Sequence, residues 1–270
     1  MRGNIHGNIQ THKPHSSQAL AIDVFGTIKV SQYRDLILGQ LAEHVGLRPV
    51  GPWDVSLEWC SPDNELREKR QTQIDAVAVS GSTLMFFECK FTESGGSCSQ
   101  TEPLKKGPHK GITQCNGKYQ LQSNPVNGIS SMCALTGKGI VYWDAIPRIL
   151  PYSTQIEYAP CPFAGSYFQW MRNLTVCFER ARTTFKRPVV IVTYADHPKL
   201  EISQILASSN WRAFADSVRE EAITFSSMSY QRIIGLAESA VADLPDEVAI
   251  WQRLRRWVEQ KIVTVVSGRK

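Results

Sequence analysis

Apolar and polar positions alternate most clearly between Ile74 and Phe91, "IDAVAVSGSTLMFFECKF". Two apolar runs flank Gly81-Ser82, which predicts a strand, a tight turn and a second strand. Upstream, "WDVSLEWC" (Trp53 to Cys60) alternates like a third strand. Before it, Gln32 to Leu47 carries apolar residues at helical spacing (Leu36, Leu38, Leu41, Val45, Leu47), with Gly46 as a stop. Downstream, Ser166 to Arg182 repeats Phe168, Met171, Leu174 or Thr175, Phe178 and Ala181 near one helical face. "RPVVIVTYA" (Arg187 to Ala195) is a β-branched run typical of a buried strand. A short helix is expected around Ile112 to Gln122, weakened by Gly117. The last segment reads as helical, with Trp251, Leu254, Val258 and Ile262 turned inward. The order helix, three strands, helix, strand and further helices predicts an α/β domain.

The same pattern divides the chain. Residues 1–17 read as a flexible N-terminal segment, 18–200 as a core with a turn-rich insertion around 123–160, and 201–270 as a helical extension packed on that core. The chain has 270 residues, 42% of them hydrophobic and 20% charged, enough for one large core and against global disorder. No apolar run reaches the roughly 18 residues that span a bilayer, and the polar N-terminus lacks the apolar heart of a signal peptide. The expectation is therefore a cytoplasmic protein with no membrane partner.

Charge matters most inside the hairpin. A two-residue Gly81-Ser82 loop suits a type II′ turn with Gly at its first central position. Ser80 then faces Thr83, and counting back sets Asp75 opposite Glu88, with Lys90 on the same sheet face. Charges in apolar strands are costly unless paired or bound to a cation. Two facing carboxylates favour a cation, and Mg²⁺ accepts one or two of them beside water and phosphate. A nearby Lys suits orientation of water or neutralisation of phosphate charge. The set reads as a site for metal-assisted phosphodiester hydrolysis; the competing reading is a cross-strand salt bridge.

Elsewhere, "PLKKGPHKGITQCNGK" holds Lys105, Lys106, Lys110 and Lys118, no acid and three glycines, as expected of a loop touching a nucleic-acid backbone. The net charge of +5 agrees with that partner without demanding it. There are seven cysteines and no C-x-x-C pair, which argues against a disulfide framework. Cys98, Cys115, Cys133 and Cys161 are set too far apart for a familiar Zn²⁺ or iron–sulfur motif. No G-x-x-x-x-G-K-[ST] loop points to an NTPase, and "FAGSYF" is not the G-x-S-x-G of a serine hydrolase.

Asp75 with Glu88-Cys89-Lys90 resembles the motif of the PD-(D/E)XK nuclease superfamily, with Ile74 in place of the motif's Pro. "SSQALAIDVFG", "ECKFTE" and "QWMRN" are similar to a prokaryotic group of restriction-like nucleases. The resemblance implies a restriction-endonuclease-like αβββαβ core with a mixed sheet and added C-terminal helices. It implies an Mg²⁺-dependent DNA endonuclease of restriction or phage-defence type, with Mn²⁺ as an alternative ion. It also implies Asp75 and Glu88 as metal ligands beside the Cys89 carbonyl, and Lys90 acting on water. The family's additional upstream Glu is matched by Glu58 in the first strand, in preference to Glu43 in the first helix. Its exonuclease-type Q-x-x-x-Y helix is missed by one residue at Gln114 and Tyr119. Gln169 and Arg172, three apart and next to Asn173, are expected to support the site. Double-strand cleavage would call for a homodimer, and the type leaves a place for an ATPase or methyltransferase partner. A non-catalytic nucleic-acid-binding module on this fold and a DNA-repair exonuclease stay open as alternatives.

Overall fold

A computed structural model describes residues 13, 15–48, 51–153, 157 and 160–268. Most of the segment expected to be flexible, 1–12 and 14, lies outside them. The elements are α1 (Ser17–Val30), α2 (Arg34–His44), β1 (Asp54–Cys60), β2 (Gln73–Val79), β3 (Thr83–Lys90), β4 (Gln122–Ser123), β5 (Ser130–Ser131), α3 (Tyr142–Ile149), α4 (Phe168–Thr184), β6 (Arg187–Tyr194), α5 (Glu201–Ala207), α6 (Ser209–Ser217), β7 (Thr224–Ser229), α7 (Tyr230–Ala240) and α8 (Pro245–Val266).

Five strands form one sheet in the order β1-β2-β3-β6-β7. The first three are antiparallel, and β6 and β7 join in parallel, so the sheet is mixed. All eight residues of β3 are buried, as an apolar run covered on both faces requires. One face packs Met85, Phe87 and Cys89 against α1, α2, α7 and α8. The other packs Leu84 and Phe86 against α3 and α4.

The helical expectations need three corrections. First, the expected elements leave out α1, whose buried stripe is blurred by the apolar Ile22 and Val30 on its outer side. It is wedged between the sheet and α8, and Leu20, Val24, Phe25 and Ile28 are all buried. Second, α2 begins at Arg34 and turns Ile37, Leu38, Leu41 and Ala42 inward, leaving Leu36 56% exposed. Third, residues 112–122 form turns instead of a helix: Gly117 sits at φ +78°, and the Gln114 and Cys115 N–H groups both donate to the Gln100 carbonyl. The segment after residue 200 is not wholly helical either, since β7 within it completes the sheet. No helix of the described residues is long and apolar enough to cross a membrane.

The hairpin register follows the sequence arithmetic. Val79 pairs with Leu84 and Ala76 with Phe87, so the next rung sets Asp75 across from Glu88. The turn differs from the type II′ expectation, because Gly81 does not take a positive φ. Ser80 Oγ accepts from the N–H groups of Ser82 and Thr83 at 3.4 and 3.1 Å. Lys186 Nζ donates to the carbonyls of Ser80 and Gly81 at 2.6 and 3.0 Å. The loop is thus fixed by side chains as well as by its own backbone.

Two glycines set the start of α4, which has no side-chain cap. The N–H groups of Phe168 and Gln169 donate to the carbonyls of Gly96 and Gly95 at 3.2 and 2.9 Å. A Cβ on Gly95 would lie 2.4 Å from the Ser166 carbonyl oxygen and 3.0 Å from the Trp170 ring. Gly95→Ala is therefore expected to lower stability by about 1–3 kcal/mol, read by urea denaturation.

Candidate active site

At the end of the hairpin the strands part. Cys89 N–H does not meet a β2 carbonyl there; it donates to Asp75 Oδ2 at 2.7 Å. One residue's N–H and C=O leave a strand on the same side, so the Cys89 carbonyl faces this gap too. Across β1, Leu57 pairs with Ala76 and Trp59 with Ile74, which puts Glu58 on the rung of Asp75. Glu58, Asp75 and Glu88 thus occupy one rung across three neighbouring strands. Glu58 holds φ at +52°, a left-handed backbone that costs a non-glycine residue about 1–3 kcal/mol. Its carboxylate accepts from Gln18 Nε2 at 3.1 Å and from Gln73 Nε2.

Glu88 is buried, and each of its carboxylate oxygens accepts one hydrogen bond. Oε1 accepts from Lys90 Nζ at 2.6 Å, and Oε2 accepts from Asn173 Nδ2. Lys90 Nζ also donates to Gln169 Oε1 at 2.7 Å. Gln169 and Asn173 are four apart on α4 and meet the two site residues of β3 together. Burial alone would depress the Lys90 ammonium. The carboxylates of Glu88, Asp75 and Glu93 outweigh it and hold its pKa above the usual lysine value. Burial pushes the Asp75 carboxyl well up, and the charges of Glu88 and Glu58 push the same way against Lys90 and the Cys89 N–H. Burial also raises Glu58, opposed by its two glutamine hydrogen bonds.

A cavity of about 420 Å³ opens here, lined in part by Ser16, Gln18, Glu58, Asp75, Glu93 and Gln169. It collects parts of α1, β1, β2 and α4 and the residues just after β3, Thr92 and Glu93, whereas the buried Glu88 and Lys90 of β3 do not line it. Among the described residues, no three His, Cys, Asp or Glu side chains already stand at metal-coordinating spacing. Mg²⁺ does not need three, since two carboxylates, a carbonyl and water complete its shell. A carboxyl whose ionised form is disfavoured by burial and by neighbouring carboxylates is a donor set short of a cation, so the residues present fit such an ion.

Several expected residues lie elsewhere. Arg172 is turned off the cavity because it stands one position before Asn173 on α4. Its Nε and Nη2 donate to Glu68 Oε1 at 3.0 and 2.9 Å, and Tyr142 and Thr72 donate to the same buried carboxylate. Arg172→Met would strand that charge, and a loss of about 3 kcal/mol is expected in urea denaturation. Glu43 is exposed on α2. Lys105, Lys106, Lys110 and Lys118 are exposed, and none lines the cavity. Tyr119 stacks on Trp143 with ring centres 3.7 Å apart, a core contact. Gln18, Gln73 and Glu93 escaped the sequence reading, because nothing local ties a glutamine or a loop glutamate to a distant carboxylate.

A model of the family described as restriction endonuclease associating with ARP matches residues 1–253. The chain belongs to that family. No curated protein and no solved structure matches the chain. The family match contains every residue of the three-carboxylate rung, the β3 lysine and the α4 amides that hold them.

Proposed function

We propose that this cavity is the active site of a divalent-metal-dependent DNA endonuclease of PD-(D/E)XK type, working with the ARP partner that its family description names. The observation that carries the reading is the rung of Glu58, Asp75 and Glu88 where the pairing of β2 with β3 ends, with the Lys90 ammonium fixed on Glu88. Asp75, Glu88 and the Cys89 carbonyl would hold the ion, with Glu58 beside them. When bound, Mg²⁺ supplies Lewis-acid stabilisation of charge on the phosphate and acidifies water.

The chain's own residues then have distinct tasks. Lys90 carries its proton, so it serves as a hydrogen-bond donor and positive charge toward the attacking water or the phosphate, rather than as a base. Gln169 fixes the Nζ position from the far side. Asn173 fixes the second oxygen of Glu88, which keeps that carboxylate from rotating out of the site. The Cys89 N–H does the same for Asp75. The exposed lysines at 105, 106, 110 and 118 are assigned to the DNA backbone outside the cavity.

Plasmid DNA incubated with the purified chain and Mg²⁺, alone and with the ARP partner, tests the reading. Nicked or linear product is expected, lost with EDTA and with Lys90→Ala. Equal results for wild type and Lys90→Ala on every substrate, with the partner present, would sink it. A preference for linear over circular DNA would favour the exonuclease alternative.

A further inference from the structure

A second site lies in the insertion and owes nothing to the nuclease reading. The described residues of 92–165 contain little regular structure beyond the two-residue strands β4 and β5, two 3-10 turns (Ser99–Thr101 and Thr136–Lys138) and the helix α3. Segments of this length without regular elements are uncommon in compact domains unless something ties them down. Four of the seven cysteines fall here, on four separate stretches. All four, Cys98, Cys115, Cys133 and Cys161, line one small cavity of about 10 Å³. None of them is in a disulfide.

Backbone bonds tie the stretches of Cys98, Cys115 and Cys161 together, and a local turn shapes that of Cys133. Cys115 N–H donates to the Gln100 carbonyl at 3.0 Å, next to the turn that follows Cys98. Cys161 N–H donates to the Gly117 carbonyl at 2.8 Å, and the Cys133 carbonyl accepts from Gly137 N–H at 3.0 Å. Burial pushes the Cys98 thiol up to about 11 and the Cys161 thiol up to about 12, and the neighbouring cysteines of the set add to both. Cys161 is therefore within electrostatic reach of the other three, and Cys98 of Cys115 and Cys133. A cation stands close by: Lys138 donates to Gln100 Oε1 and feels the charges of Cys98 and Cys133.

We propose that Cys98, Cys115, Cys133 and Cys161 hold one structural Zn²⁺ ion that fastens the insertion to itself. Four thiolates are a common closed set for structural zinc. The void is the size of a single small occupant, about one water, so it suits an ion and not a multi-iron cluster. The thiols are not yet at coordinating spacing. Side-chain rotation into the void closes them on the ion, with release of thiol protons. Lys138 then offsets part of the excess negative charge of a four-thiolate site.

The full chain purified without chelators tests this. Elemental analysis is expected to give about one zinc per chain, retained through gel filtration. Titration with an organomercurial should release the zinc to a chromophoric chelator. Cobalt exchanged into the protein should show a thiolate-to-metal charge-transfer band. Cys161→Ser should lose the zinc, while Cys60→Ser and Asp75→Asn keep it. Zinc-free wild type with no cobalt–thiolate band would overturn the proposal. So would zinc lost equally in Asp75→Asn, or iron with acid-labile sulfide in place of zinc. Should Cys161→Ser fail to fold, the mercurial titration of wild type decides: zinc unaffected by thiol modification also overturns it.

Discussion

A Lys90→Ala variant is expected to unfold about 3–5 kcal/mol more easily than the wild type, besides losing about 10²–10³-fold in DNA cleavage. Both partners of the ion pair are buried, with side-chain exposures of 5% and 1% for Lys90 and Glu88. Removing the ammonium leaves Glu88 charged in a place that water does not reach. Asn173 still donates to it, but one amide does not replace a cation. Pairing Lys90→Met with Glu88→Gln removes both charges and should restore most of the stability, because a buried ion pair can be exchanged for neutral groups at little cost. Cleavage should stay absent in that double variant. Recovery of stability without recovery of activity separates the structural contribution of the pair from its chemical one. The pH dependence has a definite sign. The folded Lys90 pKa is raised, so the pair's contribution is complete at neutral pH and is lost only as pH rises through that raised value.

Asp75→Asn should do the opposite to stability. It is expected to abolish Mg²⁺-dependent cleavage, a loss of at least about 10²-fold, while making the metal-free protein more stable. Burial and the charges of Glu88 and Glu58 raise the Asp75 pKa in the folded state, so the ionised carboxylate destabilises the fold. Asparagine removes the charge and keeps an oxygen to accept from Cys89 N–H. The stability gap between variant and wild type should be widest above the folded Asp75 pKa. It should close as pH falls through that value toward the ordinary aspartate range. Thermal melts in EDTA across this range, beside cleavage assays with Mg²⁺, measure both effects. A variant that is inactive and also less stable at neutral pH would contradict the electrostatic account. Adding Mg²⁺ should raise the wild-type melting temperature and leave Asp75→Asn unmoved, since only a bound ion shifts the folding equilibrium.

These residues differ in how far the sequence exposes them. Asp75 and Glu88 were legible because a two-residue turn dictates register, and a register error of one residue would send the apolar side chains to the wrong face. Lys90 follows from Glu88 by the two-residue period of a strand. On α4 the sequence shows three polar candidates within five positions, and only their rotation about the axis separates Gln169 and Asn173 from Arg172. The salt bridge that claims Arg172 comes from Glu68, in the connection between β1 and β2, and has no local signal. Glu58 was within reach through strand alternation, but its left-handed backbone was not, since glutamate rarely adopts it. Helix α1 went unread because Ile22 and Val30, apolar residues on the side that also carries Asp23 and Thr27, blur the contrast between its faces. The cysteines were visible and misleading: their spacing resembles no familiar motif, and it is folding of the insertion that gathers them.

Strand β3 carries one more consequence. It is hydrogen-bonded to β2 on one side and to β6 along its whole length on the other, with every residue buried. Its amides should be among the slowest in the protein to exchange with deuterium, opening only when the whole domain does. Glu88, Cys89 and Lys90 therefore ride on the last element to come apart. Fraying of the insertion or of the C-terminal helices leaves their spacing untouched, and inactivation on heating should coincide with the global transition instead of preceding it.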